Sequence, residues 1–180
     1  MTLETPTIPQ KPGLFLFLGV VYVFTGVVAV MSPLVVTLLS VLFFGVLLLI
    51  AGIATLIHSF WTRQWAGFAL QLLAGTLAAV MGFLLIADAG AGAAVITIIL
   101  ASYFLVSGFF RLGFALFHSH LHHRGALILS GVITLLLGIL ITIHWPSSAL
   151  WVIGTFVGID LIFYGFSLIA LSSALKKLKS

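Results

Sequence analysis

Apolar side chains run along this chain in six long blocks, separated by short stretches of polar, charged or turn-forming residues. The approximate limits of the blocks are 14–31, 34–57, 65–87, 92–117, 125–144 and 148–173. Each has about 18 residues or more, enough to cross a hydrocarbon core roughly 30 Å thick. Continuous apolar runs lack the alternation of barrel strands. The pattern therefore predicts an all-α polytopic membrane protein with six transmembrane helices.

Small residues recur along the chain with a fixed period. Gly19, Gly75 and Gly131 are spaced by 56 residues, which indicates three parallel repeats of a helical hairpin. A second glycine seven residues further on lies on the same helix face, where close backbone approach favours helix association in lipid. We therefore expect glycines to hold the hairpins together. The predicted helix-packing glycines are Gly19, Gly26, Gly45, Gly52, Gly75, Gly82, Gly108, Gly131, Gly138, Gly158 and Gly165.

Turn residues divide each repeat into two helices. Pro33 and Pro146 lie where the first helix of the first and third repeats must end, and the glycines of 87–92 supply backbone freedom in the second repeat. The predicted organisation is a single membrane domain, 1–180, with an N-terminal tail 1–13, hairpins 14–57, 65–117 and 125–173, and a basic tail 174–180.

The composition fits this class and supplies an orientation. Hydrophobic residues make up 63% of the chain and charged residues 6%, against roughly 25% charged in average proteins. There are no cysteines, which excludes disulfides and thiolate sites. Basic residues cluster in the tails and between hairpins, so the positive-inside rule predicts both termini in the cytoplasm. The net charge of +4 then reflects topology, and we expect no nucleic-acid partner.

Four histidines, His118, His120, His122 and His123, lie in the predicted loop after helix four. Three interpretations are open. His118 and His122 are four apart, so on a helix both could bind a metal, although carboxylate or cysteine ligands are missing nearby. Imidazole titrates near a pKa of about 6.5, so the loop could sense mild acidification. The favoured interpretation is an interfacial loop that anchors the chain at the cytoplasmic side, with no metal site.

Two ionisable residues fall within predicted spans. Asp160 lies mid-helix in helix six, and Arg111 lies in helix four, roughly 9 Å nearer the cytoplasm. Helical side chains lean towards the N-terminus, so we expect Arg111 to lean towards the depth of Asp160, inside the bundle. The two form a predicted intramembrane polar pair that fixes hairpin two against hairpin three. Two alternatives stay open: Asp160 accepts a proton or cation, or it is protonated while Arg111 reaches the headgroups.

The segments "GFFRL" (108–112) and "FVGIDLIF" (156–163), together with the six-span layout and the paired glycines, resemble the HdeD family. These are small bacterial inner-membrane proteins associated with acid resistance. The resemblance implies a non-enzymatic protein of the inner membrane, without a cofactor, that protects cells from acid stress. Membrane lipids and a homo-oligomer are the expected partners. The alternative is a small proton- or cation-coupled transporter or channel that uses Asp160.

Overall fold

The computed structural model describes residues 12–61, 65–117 and 124–177. Within these ranges the chain forms six long helices and one short 3-10 helix. All six are long and apolar enough to cross a membrane, as the hydrophobic pattern predicts. Their bounds are α1 Pro12–Met31, α2 Pro33–Trp61, α3 Trp65–Ala87, α4 Ala89–Phe117, α5 Arg124–Ile143 and α6 Val152–Lys177, with the 3-10 helix at Ser147–Leu150.

The prolines mark helix ends as expected. Pro33 is the first residue of α2, where its missing N–H costs no helical hydrogen bond. Near Pro146, α5 ends at Ile143 and a 3-10 turn follows before α6. The turn is fixed by Ser148, whose hydroxyl donates to the carbonyl of Ile141 at 2.9 Å. Helix six therefore begins at Val152, four residues later than the apolar pattern predicts.

The turn between α3 and α4, in the second repeat, differs from the prediction. The helices α3 and α4 are separated by Asp88 alone, and the glycines that follow lie inside α4. Asp88 is the N-cap, because its Oδ1 accepts a hydrogen bond from the amide of Ala91 at 2.9 Å. Among the described residues no glycine has positive φ. The expectation that glycine freedom makes this turn is therefore wrong: a capping carboxylate makes it.

The helices fall into two compact units. The first, called the α1/α6 unit, comprises Met1–Pro33 and Thr155–Ser180, and the second, called the α2–α5 unit, comprises Leu34–Gly154. In the α1/α6 unit the two helices pack antiparallel. In the α2–α5 unit, α2 packs antiparallel on α3 and α4 packs antiparallel on α5. Each unit thus contains helices from different predicted hairpins.

Glycines form the contact line of each of these helix pairs, which we call a glycine interface. In the α2–α3 interface, a Cβ at Gly52 would lie 2.8 Å from the Cα of Ala79. In the α4–α5 interface, a Cβ at Gly108 would lie 2.7 Å from the amide nitrogen of Leu135. Real Cβ atoms do not come this close, so only glycine permits the observed backbone approach.

The three interfaces are equivalent residue by residue. One glycine in each faces a leucine or isoleucine side chain, and the facing pairs follow the repeat period of 56 or 57 residues. These pairs are Gly75 with Leu56, Gly131 with Leu112, and Gly19 with Ile169. The α1–α6 interface is therefore the third copy, in which α1 takes the place that α3 and α5 take in the other two.

All of the predicted packing glycines lie at these interfaces. A Cβ at any of them would meet atoms of the paired helix at 3.2 Å or less. By contrast, a Cβ at Gly67, Gly113 or Gly125 would meet nothing within 4 Å. The glycines join the second helix of one hairpin to the first helix of another, so the packing unit differs from the sequence repeat.

Candidate functional site

Asp160 is positioned by α6, eight residues after Val152 and so about 12 Å from the start of the helix. At about 100° per residue, it lies about 160° around α6 from Gly158 and about 140° from Gly165. The carboxylate is therefore on the face opposite the glycine interface. Its side chain is exposed, so the expectation of an acid buried inside the bundle is wrong.

The surface around Asp160 is an open depression of about 430 Å³ on α6. Its lining residues are Phe156, Val157, Ile159, Asp160 and Phe163. An ionised carboxylate in the middle of a transmembrane helix costs about 2.5–3.5 kcal/mol on insertion scales. Asp160 is the sole carboxylate of the sequence within a predicted span. The site can avoid this cost by taking up a proton or by acquiring a partner.

No described side chain of the α1/α6 unit bonds to the Asp160 carboxylate. The neighbouring polar group on the helix is Tyr164, one turn further on, whose ring meets that of Tyr22 edge-on at 5.1 Å. This contact crosses the α1–α6 interface beside the glycines. It stabilises the helix pair, and the carboxylate has no hydrogen-bond donor among the described side chains of its own unit.

Arg111 is exposed on α4, and its Nη1 donates to the hydroxyl of Ser130 on α5 at 3.0 Å. The antiparallel register, in which Gly131 faces Leu112, places Ser130 level with residue 113. The guanidinium is therefore drawn towards the C-terminal end of α4, not towards its N-terminal end as expected. A neutral hydroxyl at the flank of the interface offers an acceptor, and the long stem reaches it.

A second arginine serves the same helix pair. The Nε of Arg124, the first residue of α5, donates to the carbonyl of Ala115 at 3.0 Å. The last carbonyls of a helix lack internal partners, and a cation there also suits the helix dipole. From the sequence, Arg124 is a loop residue that indicates the cytoplasmic side and anchors the chain there with the histidines. Its place a few residues after the end of a helix was the available signal for this cap.

The predicted pairing of Asp160 with Arg111 joins residues of different units and stays a prediction. Arg111 nonetheless has a described partner, Ser130, within the α2–α5 unit. The histidines His118, His120, His122 and His123 lie outside the described residues, so their roles stay predictions too. Within the described ranges, no group of three His, Cys, Asp or Glu side chains could hold a metal ion.

Buried hydroxyls of the α2–α5 unit are features that sequence reasoning missed. The Oγ1 of Thr37, on α2, accepts a hydrogen bond from the amide of Gly154 at 2.8 Å, and Thr37 is fully buried. That amide belongs to the first turn of α6, which has no internal acceptor. Thr37 thus caps α6 from another helix. Fully buried Ser59 and Thr97 have hydroxyls without a partner among the described residues.

Comparison with protein families gives a match to one model, described as a short repeat of unknown function (DUF308). The model matches residues 17–87 and again residues 73–143, which together cover more than half of the chain. The chain belongs to the DUF308 family. The two DUF308 matches begin 56 residues apart, which is the period of the glycines. The first match contains the α2–α3 glycine interface and the second contains the α4–α5 interface.

No curated protein and no solved structure matches the chain. Membership of DUF308 therefore supports a helical membrane protein built from internal repeats and carries no activity with it.

Proposed function

We propose that this DUF308 protein is a non-enzymatic protein of the bacterial inner membrane that contributes to acid resistance. The observation that carries the proposal is the repeated DUF308 match over residues 17–143, together with the HdeD-like segments around Arg111 and Asp160. In this proposal no cofactor, metal or nucleic acid takes part. Membrane lipids surround the exposed apolar side chains of all six helices, and a second copy of the chain is the expected protein partner.

The proposed orientation has both termini in the cytoplasm. Two basic residues support it, because Arg124 begins α5 and Lys176 lies near the end of α6. If each helix spans the membrane, the two helices cross it in opposite directions, so the two residues lie on the same side. An N-in, C-in arrangement puts Arg124 and Lys176 on the same, cytoplasmic side. Cysteine accessibility would test this, because the chain has no native cysteine. Reagents that do not cross the membrane should label Ser147→Cys from outside and Lys176→Cys only after the membrane is opened.

Survival of bacteria after strong acid challenge tests the proposed function. Cells that lack their own proteins of this type should survive better with the wild-type chain than with an empty vector. A Gly108→Ala chain, which breaks the α4–α5 interface, should lose the protection, whereas Gly113→Ala should keep it. Equal survival with the vector and the wild-type chain, at matched membrane abundance, would refute acid protection.

A second function is favoured by one observation, the exposed Asp160 in its depression. A carboxylate that is reached from one face of a spanning helix could accept a proton or cation, as in a small coupled transporter or channel. Proteoliposomes with a pH-sensitive or cation-sensitive dye would report such flux. The transporter proposal predicts flux with the wild-type chain and none with Asp160→Asn. If the wild-type and Asp160→Asn chains both give no more flux than empty liposomes, the transporter proposal is refuted and acid protection remains the proposed function.

A further inference from the structure

Asp160 is a polar group on a surface that is otherwise suited to lipid. It lies on the α6 face opposite the glycine interface, between Phe156 one turn before it and Phe163 one turn after it. Apolar side chains on this face need no explanation in a membrane, but an exposed carboxyl group does, because hydrocarbon offers it neither a donor nor an acceptor.

A carboxyl group can satisfy itself if it meets a second carboxyl group. A protonated carboxyl donates through its O–H and accepts through its carbonyl oxygen, and a carboxylate accepts at both oxygens. Two carboxyls that share one proton therefore form one charge-assisted hydrogen bond, and two protonated carboxyls form two reciprocal ones, whereas two ionised carboxylates repel each other.

The membrane makes such a meeting easy between two copies of this chain. Copies with the same orientation carry Asp160 at the same depth, so a twofold axis along the membrane normal brings α6 against α6 with the two carboxyls facing. Arg111 has no such advantage as a partner. It lies nearer the C-terminal end of α4, whereas Asp160 lies nearer the N-terminal end of α6, and the Nη1 of Arg111 already donates to Ser130.

We propose that the Asp160 face of α6 is a homodimer interface, in which the Asp160 carboxyls of two copies share a proton. The interface rests on the proposed homo-oligomer and names its surface. Because the pair requires at least one proton, acidification strengthens the dimer. Among the described side chains of α1 and α6, the other titratable groups are Tyr22, Tyr164 and Lys176. Of these, Tyr164 is closest to Asp160 along the helix.

Single cysteines in this cysteine-free chain test the surface. Ser167 is exposed and lies only about 20° around α6 from Asp160, two turns away. Ser173 is a matched control, since it is also exposed, about 120° around the helix from Ser167, and both hydroxyls donate to a carbonyl of their own helix. Oxidation in vesicles at one fixed pH should cross-link Ser167→Cys chains into dimers and leave Ser173→Cys chains largely monomeric. Equal cross-linking of the two variants would overturn the interface.

Two replacements at Asp160 test the proton. In the Ser167→Cys background, Asp160→Leu removes the polar pair and should lower the association constant by about 3- to 30-fold. Asp160→Asn keeps a neutral, self-complementary amide, so its dimer should persist and lose its dependence on pH. Single-molecule photobleaching of chains labelled beforehand at Ser173→Cys, in vesicles equilibrated at a series of pH values, measures this dependence without thiol oxidation, which itself depends on pH.

Three results would contradict the proposal. They are a dimer that does not respond to Asp160→Leu, a wild-type dimer that weakens on acidification, and a pH dependence that disappears in Arg111→Leu instead. The last would assign the Asp160 partner to an arginine. All three readouts are independent of acid survival, so failure of the interface and failure of the proposed function can be told apart.

Discussion

The α1–α6 and α4–α5 helix pairs have the same glycine interface and treat their charged residue differently. Gly165 faces Val23 in the first pair as Gly108 faces Leu135 in the second, with a virtual Cβ 2.8 and 2.7 Å from the facing amide nitrogen. In the α4–α5 pair, Arg111 lies at the flank of the interface and reaches Ser130 on the paired helix. In the α1–α6 pair, Asp160 lies on the opposite face, beyond reach of the paired helix.

The comparison shows that the angle between a polar residue and the packing face decides whether its own helix pair can satisfy it. The repeat fixes the packing face through the glycines, and the polar residues are added to that scaffold individually. A charge at the flank becomes an interhelical hydrogen bond. A charged residue on the far face has no partner on the paired helix, so it faces lipid, takes up a proton or contacts another protein chain.

The largest expected effect comes from breaking the feature that both pairs share. Gly108→Ala and Gly165→Ala each push a Cβ into the backbone of the facing helix, which should cost about 1–3 kcal/mol of unfolding free energy. The costs should be similar, because the contacts are equivalent. Gly113→Ala is the control, and its open surroundings allow a gain in helix propensity of up to about 1 kcal/mol. Steric-trap or denaturant unfolding in detergent measures all three; a Gly165→Ala as mild as Gly113→Ala would break the equivalence.

A comparable effect is expected where a buried group has a single acceptor. Thr37→Val removes the oxygen that accepts from the Gly154 amide and leaves that N–H buried, which should cost about 1–3 kcal/mol. Thr37→Ser keeps the oxygen and serves as its control. The same unfolding assay applies. If Val and Ser variants unfold alike, the cap from α2 to α6 does not contribute to stability.

A smaller effect is expected at the turn between α3 and α4. Asp88→Ala removes the N-cap of α4 and should cost about 1 kcal/mol, while Asp88→Asn can still accept from the Ala91 amide and should cost little. Hydrogen exchange of the first turn of α4 measures this locally. Protection that survives Asp88→Ala unchanged would show that the glycines, and not the carboxylate, make the turn.

The charged residues should give the smallest effects on stability, and here the two pairs should differ. Ser130→Ala removes the acceptor of Arg111 at an exposed position and should cost up to about 1 kcal/mol. Asp160→Asn should leave the unfolding free energy of the monomer within about 0.5 kcal/mol, since no described side chain of its unit bonds to it. Thermal unfolding of the two variants in the same detergent compares them. A larger loss for Asp160→Asn would mean that Asp160 has a partner within the chain.

The repeats made most of the fold predictable. Long apolar runs set the number of helices, and Pro33 and Pro146 set two of their ends, because both signals act locally. The partner of each helix was not predictable from one sequence, since Gly19 and Gly165 come together from opposite ends of the chain. A period of seven reveals a packing face but not which face it meets.

The candidate site was predictable in its residues and not in its surroundings. Composition alone singles out Asp160, since a carboxylate inside a span is rare. Its exposure depended on the angle to Gly158 and Gly165, which could be counted along the sequence once their packing role was accepted. The cap by Thr37 depends on a contact between residues 117 positions apart, for which the sequence carries no local signal.

Cross-linking across the α1–α6 pair tests most directly that the glycine interfaces join helices of different hairpins. A double variant, Tyr22→Cys with Tyr164→Cys, replaces two rings whose centres are 5.1 Å apart. The control, Phe24→Cys with Tyr164→Cys, moves the first cysteine by two residues, about 200° around α1. With a short bifunctional thiol reagent, the first pair should give linked peptides within one monomer, identified by mass spectrometry, and the control few or none. Equal yields, or a link in neither, would contradict the α1–α6 interface and with it the threefold equivalence of the glycine interfaces.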